Sequence, residues 1–209
     1  MAISYPLNLP TSIGVANISL TAANVVATSM SPFTYKQQVI RHTGQAWQAD
    51  VRVPSIKKDL AEPWITFLMS LNGPTGTFLL GDPSGKNPRG SAATTAGTPV
   101  VNGADQTGAE LNIDGLPASA SGYLLAGDYI QLGSASTAKL YKVLTDVDTN
   151  SSGEATLNIW PEITSAPADD STVVLFDTVG VFRLTTNSAQ WSIDSANTYQ
   201  IGFSALQAI

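Results

Sequence analysis

The dominant spacing of hydrophobic and polar positions along this chain is two, the repeat of a β-strand that turns one face to a core. Phe33, Tyr35, Gln37, Val39 and Arg41 fall on one face of a candidate strand. In the run that follows, Trp47, Ala49, Val51 and Val53 alternate with Gln48, Asp50 and Arg52. His42-Thr43-Gly44-Gln45 separates the two runs. A glycine-containing connection between alternating runs predicts a long hairpin with His42 at its tip. Residues 13–29 predict two further short strands around Thr21-Ala22-Ala23, and Thr77–Leu80 another. Toward the C-terminal end, 179–186, 190–194 and 199–205 alternate again. The last of these puts Tyr199, Ile201, Phe203 and Ala205 on one face.

One stretch changes to a helical period. Leu60, Trp64, Phe67, Leu68 and Leu71 form a single apolar stripe, which predicts a helix over about 58–72 laid on a sheet. Gly73 suits the residue just past its end, and Pro74 stops it. Pro63 fits a helix only near the first turn, where amides lack helical partners, and so draws the expected start to Asp59 or later.

Residues 84–122 are rich in Gly, Ser, Thr, Ala and Pro, and 91–99 read as a linker or exposed loop. Short strands follow at 110–114, 128–132, 139–144, 155–160 and 173–176, at the close spacing of a small barrel. The fold class is therefore mainly β. Residues 1–90 and 178–209 are expected to close into one β-sandwich domain carrying the helix, and 91–177 to form an inserted small β-barrel. Such an insertion is tolerated because loop-closure entropy grows slowly with length.

Composition narrows the chemistry. Hydrophobic residues make up 43% of the 209 residues, enough for a buried core, and charged residues only 12%. The absence of cysteine excludes a disulfide framework, thiol catalysis and cysteine zinc sites. A net charge of −6 argues against specific nucleic-acid binding through phosphate neutralisation. No window approaches the length of a membrane-spanning helix, and the opening MAISYPLNLPTSIG has neither a basic start nor an apolar run of leader length.

Individual candidates carry little. His42 is the one imidazole, so a zinc hydrolase site lacks its ligands, and no Gly-x-Ser-x-Gly segment supports a serine nucleophile. Asp146, Asp148, Asn150, Ser152 and Glu154 alternate like the start of a calcium loop. Ser151 and Leu157, however, stand where that loop needs Gly and Glu. Gly81-Asp-Pro-Ser-Gly-Lys86 resembles a phosphate loop, but its glycines are one residue too close, Asn87 replaces Ser/Thr, and Pro83 lacks an amide donor. It reads as a turn. Four tryptophans and six tyrosines leave a glycan-binding module as an alternative. A cell-wall hydrolase is a third reading, although no particular carboxylate pair is singled out. No cofactor and no metal is expected.

Three stretches carry a family resemblance. Val51-Arg-Val-Pro leads to Lys57-Lys-Asp-Leu-Ala-Glu-Pro-Trp-Ile-Thr-Phe-Leu-Met-Ser-Leu-Asn-Gly73. Next comes Gly76-Thr-Phe-Leu-Leu-Gly-Asp-Pro-Ser-Gly-Lys-Asn-Pro-Arg-Gly90. Ala126-Gly-Asp-Tyr-Ile-Gln-Leu-Gly133, Ala155-Thr-Leu-Asn-Ile-Trp-Pro161 and Gly180-Val-Phe-Arg-Leu184 extend the likeness over most of the chain. Together they resemble the minor tail proteins of tailed bacteriophages, in particular the distal tail proteins of long-tailed phages. That resemblance implies a tail-tube-like β-sandwich "belt" domain decorated by an OB-like barrel. It implies a ring, usually sixfold, between the end of the tail tube and the tip or baseplate hub of the virion, made after synthesis in the host cytoplasm. Its partners would be copies of itself, the tube protein and the hub proteins. Phe33, Tyr35, Gln37, Arg41, His42, Gln45 and Trp47 are then the expected subunit-interface residues, adding strands to a neighbour's sheet. An acidic balance also suits a lumen through which DNA slides without sticking.

Overall fold

The computed structural model describes residues 3–208 and is mainly β, 42% strand and 11% helical. Its elements are β1 (Asn17–Met30), β2 (Gln37–Arg52), β3 (Ile56–Lys57), α1 (Lys58–Leu71), β4 (Phe78–Leu80), β5 (Val100–Val101), β6 (Gly108–Asp114), β7 (Tyr129–Leu132), β8 (Lys139–Val143), β9 (Ala155–Ile163), β10 (Val173–Val174), β11 (Gly180–Leu184), β12 (Trp191–Ile193) and β13 (Thr198–Gln207). The first sheet runs β1-β2-β13-β11-β4, with β12 and β3 paired to β13 off that path. Thr198–Ile201 pair with β3 and β12, and Gly202–Gln207 pair with β2 and β11. One strand, β13, thus carries the pairings that join both parts of this sheet.

The second sheet, β10-β7-β8-β9-β6-β5, is a nearly closed barrel. Its ends meet where Val100 bridges Thr172 and the Val101 amide donates to Ser171 O at 2.9 Å. Closure removes the free edges that an open sheet of this size would expose. Leu111, Ile113, Tyr123, Ile130, Leu157 and their neighbours fill the interior. The stretch expected as a linker or exposed loop at 91–99 is irregular and largely exposed, with Ser91, Ala93, Thr94, Thr95, Gly97 and Thr98 open to solvent, but it is pinned to the barrel at a few points. Ala92 is fully buried, the Thr98 amide donates to Gly115 O, and the Tyr123 hydroxyl donates to Ala96 O. Small residues there allow close backbone approach rather than looseness.

The helix lies against the first sheet, and its ends correct the sequence reading. It starts at Lys58, so Pro63 is its sixth residue and falls beyond the first turn. Pro63 is exposed, as is Asp59, whose carbonyl loses its helical donor to the proline. The buried stripe runs through Ala61, Trp64, Ile65, Phe67, Leu68 and Leu71. Leu60 is exposed; it stands one helical step, about 100° around the axis, from Ala61, which takes the place on the buried face. Asn72 and Gly73 are both left-handed, with φ of 49° and 64°, and the Gly76 amide closes the end on Leu71 O at 2.7 Å.

Two expectations about the N-terminal strands are overturned. β1 is one strand of 14 residues, continuous through Thr21-Ala22-Ala23. β2 is one strand of 16 residues, continuous through His42–Gln45, so His42 is not at a tip. The two pair with each other from Asn17↔Arg52 to Met30↔Gln37, and the true turn is Ser31–Lys36. Phe33 and Tyr35 lie in that turn, not on a strand.

Trp47 joins the two sheets. Its indole N–H donates to Leu140 O at 3.1 Å, and its ring meets Trp160 edge-on at 4.6 Å between centroids. Tyr129 and Leu140, from β7 and β8, are thereby counted in the core of the first sheet.

Candidate functional site

The feature that stands out is the β1–β2 ribbon beyond the sheet. β13 follows β2 only as far as Gln48. From Ala22↔Trp47 outward, β1 and β2 have no strand partner but each other among the described residues. Eight steps from Ala22 to Met30 make it roughly 27 Å long at ~3.3 Å per residue. The pairing skips Val25 on β1 and His42, Thr43 and Gly44 on β2, between Asn24↔Gln45 and Val26↔Arg41, so the extra residues are on β2. Such a bulge bends and twists a ribbon locally.

This arm is apolar and exposed. Val25, Val26, Met30, Val39 and Ile40 all face solvent, Phe33 is 92% exposed and Tyr35 75%. An exposed apolar patch of this kind marks an interaction surface. The outer edge of β1 has no strand partner among the described residues. The turn at the end is ordered by its own hydrogen bonds. The Tyr35 amide donates to Ser31 O, the Ser31 amide to Lys36 O, and Ser31 Oγ accepts from the Phe33 and Thr34 amides. Tyr35 has φ of 55°, a conformation a bulky residue adopts only under constraint. Residues 24–45 contain Lys36 and Arg41 and no acid, while the rest of the chain holds eight basic and sixteen acidic residues.

The base of the arm is braced against β9. Arg41 forms an ion pair with Glu162, and the Trp160 indole N–H donates to Asn24 Oδ1 at 2.9 Å. Gln45 Nε2 donates to the same Asn24 oxygen, and Gln45 Oε1 accepts the Glu162 amide at 2.8 Å. Of the seven residues singled out from sequence, Phe33, Tyr35, Gln37 and His42 are exposed on the arm, Gln37 Nε2 donating across the ribbon to Met30 Sδ. Arg41 and Gln45 hold the brace. Trp47 is buried inside the chain and offers no surface. Asn24, Trp160 and Glu162 were not foreseen. Asn24 is more than a hundred residues from Trp160 and Glu162, and no local signal connects the two sides of the brace.

The other candidates are spent on structure. Asp146 Oδ1 accepts the Ala126 amide and Asp148 Oδ1 the Gly122 amide. Asn150 Oδ1 accepts the Ser152 and Glu154 amides, and Asn150 Nδ2 donates to Glu154. Among the described residues, no three His, Asp or Glu side chains are placed to share a metal ion. Gly81–Lys86 is a turn in which Asp82 Oδ1 accepts the Ser84 amide. A polar cleft of about 520 Å³ beside β6 and β9 is lined by Asn102, Asn112, Asp148, Asn150, Glu154 and Thr156 among others. No aromatic face lines it on which a sugar ring could stack. Buried tyrosines inside the barrel are perturbed by desolvation, which pushes the Tyr123 and Tyr141 phenols up to about 12. No helix among the described residues is long and apolar enough to cross a membrane.

The surface so defined is that of a mainly β chain with a projecting, braced, apolar arm. No protein-family model matches the chain, and no curated protein matches it.

Proposed function

We propose that this protein is a structural subunit of a phage tail tip, one copy of a self-assembling ring that joins the end of the tail tube to the tip or baseplate hub. The observation that supports this reading best is the arm: a ribbon of exposed Val, Ile, Met, Phe and Tyr side chains with an unpaired β1 edge. Burying each large apolar side chain is worth roughly 1.5–3 kcal/mol, so a monomer that keeps the arm in water forgoes a large stabilisation. Strand addition along β1 would satisfy its free amides and carbonyls at the same time. Charge supports a like partner, since a basic arm meets an acidic remainder on a second copy. The sequence likeness to distal tail proteins supplies the setting, a virion tail, and the sixfold order expected of the ring. No enzymatic activity is part of this reading.

Sedimentation velocity and negative-stain imaging of the purified chain test it. A closed ring that co-purifies with tail particles is the expected result. A strict monomer at the highest soluble concentration, absent from virions, would overturn the proposal. The glycan-binding alternative finds no aromatic platform in the polar cleft. Retention of the intact protein on host-surface glycans would revive it.

A further inference from the structure

At the foot of β1, opposite the arm, lies a recess of about 280 Å³. Its floor is apolar, made by Leu9, Val15, Ile18, Leu79 and Val179. Asp82, Lys86 and Asp177 also line it, and Lys86 pairs with Asp177 at 3.3 Å, so the recess keeps one net negative charge. At the other end of the same strand the Ser31–Lys36 turn presents two exposed rings, Phe33 and Tyr35, followed by a cation, Lys36. A recess with an acidic rim and an apolar floor complements an apolar turn with a basic flank.

We propose that the Phe33–Lys36 turn of one copy inserts into this recess on the next. Ile18 and Met30 are twelve residues apart on a single extended strand, about 40 Å at ~3.3 Å per residue. The turn therefore cannot reach the recess of its own chain, and the occupant is a second copy. Because the two complementary surfaces are different, the contact is head-to-tail, the kind that closes into a ring when the rotation permits. The inference rests on the self-assembly reading above and adds to it which surface meets which.

The chain has no cysteine, so single cysteines can be placed freely. Thr34→Cys marks the turn and Asn8→Cys, at the exposed rim, marks the recess, and neither removes an apolar contact. The two variants are treated with a short bis-maleimide separately and mixed. A covalent dimer in the mixture only, containing one chain of each kind, is expected. Assembly without that mixed dimer, or Thr34→Cys linking only to itself, overturns this inference and leaves the ring reading standing. Failure of the unmodified protein to assemble at all overturns both. As a second measurement, Phe33→Ala should weaken self-association about tenfold or more, the loss expected from one buried ring. Its melting temperature as a monomer should not change, because the ring touches nothing in its own chain's core. Unaltered association in Phe33→Ala refutes the insertion.

Discussion

Replacing Phe67 by alanine tests whether α1 is the main support of the first core. Phe67 is 6% exposed. Its ring meets Phe78 edge-on at 5.5 Å, Trp64 at 6.2 Å and Phe203 at 6.3 Å between centroids. Truncating a buried phenylalanine costs about 3–5 kcal/mol, the upper end applying where the surroundings cannot collapse. Collapse is hindered here, because the three neighbouring rings pack against one another as well. We expect about 4–5 kcal/mol, a large part of the ~5–15 kcal/mol typical of a folded domain. In a chain of this size that lowers the melting temperature by roughly 8–20 °C, at ~2–4 °C per kcal/mol. Urea titration followed by tryptophan fluorescence is the direct assay. Trp47 and Trp64 sit in this core and Trp160 and Trp191 pack against it, so the signal reports on it selectively. Leu60→Ala, on the exposed side of the same helix, is the internal control and should change stability by no more than ~0.5 kcal/mol. A loss below ~1 kcal/mol for Phe67→Ala, or equal losses for the two variants, would refute the packing argument.

Three further outcomes follow from other parts of the fold. Asp128 is 3% exposed and accepts the Arg89 amide, Arg89 Nε and the Leu125 amide, so Asp128→Asn sets an amide against these donors. Thermal unfolding should show a loss of about 1–3 kcal/mol, the cost of setting a buried donor against donors, and a melt like that of the unaltered chain would disprove the role. The Tyr123 and Tyr141 phenols titrate near 12 when folded and near 10.0 when unfolded, so between those pH values the unfolded chain binds fewer protons. Stability is thus full below pH 10 and falls as pH rises toward 12; a urea midpoint constant across that window would contradict the buried-phenol argument. A Cβ on Gly81 would stand 2.1 Å from Thr178 O, so Gly81→Ala must push β4 from β11. A cost of about 1–3 kcal/mol by calorimetry is expected, and an unchanged melting temperature would show that the backbone yields freely there.

The period-two pattern of 33–53 was legible, but the pairing was not, and the reason is local. Thr21-Ala22-Ala23 and His42–Gln45 both look like breaks when each is read alone. In the structure Thr21-Ala22-Ala23 pairs with Gln48-Trp47-Ala46, and His42–Gln45 lies next to it, opposite Asn24–Val26, where it makes the bulged waist of the ribbon. Neither weak stretch has to turn, because the strong stretches beside and across from it set the register. The signal for the real turn was Ser31-Pro32, a turn-initiating pair that the glycine at 44 overshadowed. Trp64, Phe67, Leu68 and Leu71 were readable as a stripe because helix spacing is a local property. The brace was not readable, since Arg41 and Glu162 are 121 residues apart and meet only through the fold.

That brace explains how an exposed ribbon stays ready to bind. A two-stranded hairpin alone is marginal in water, and an arm that frayed would have to be ordered again at each docking event. Here the fixed part spans the bulge and ends just past it, at Arg41. Asn24, Arg41 and Gln45 tie the waist to Trp160 and Glu162, and Trp47 anchors the next residues inside the core. Most of the ordering entropy is therefore met within the folded chain, before any partner arrives. What remains beyond the waist is a short apolar ribbon with a self-hydrogen-bonded turn at its end. Rigid at the base and apolar at the tip, it loses little freedom on burial, so its apolar area converts into association more fully than a disordered tail of the same composition would.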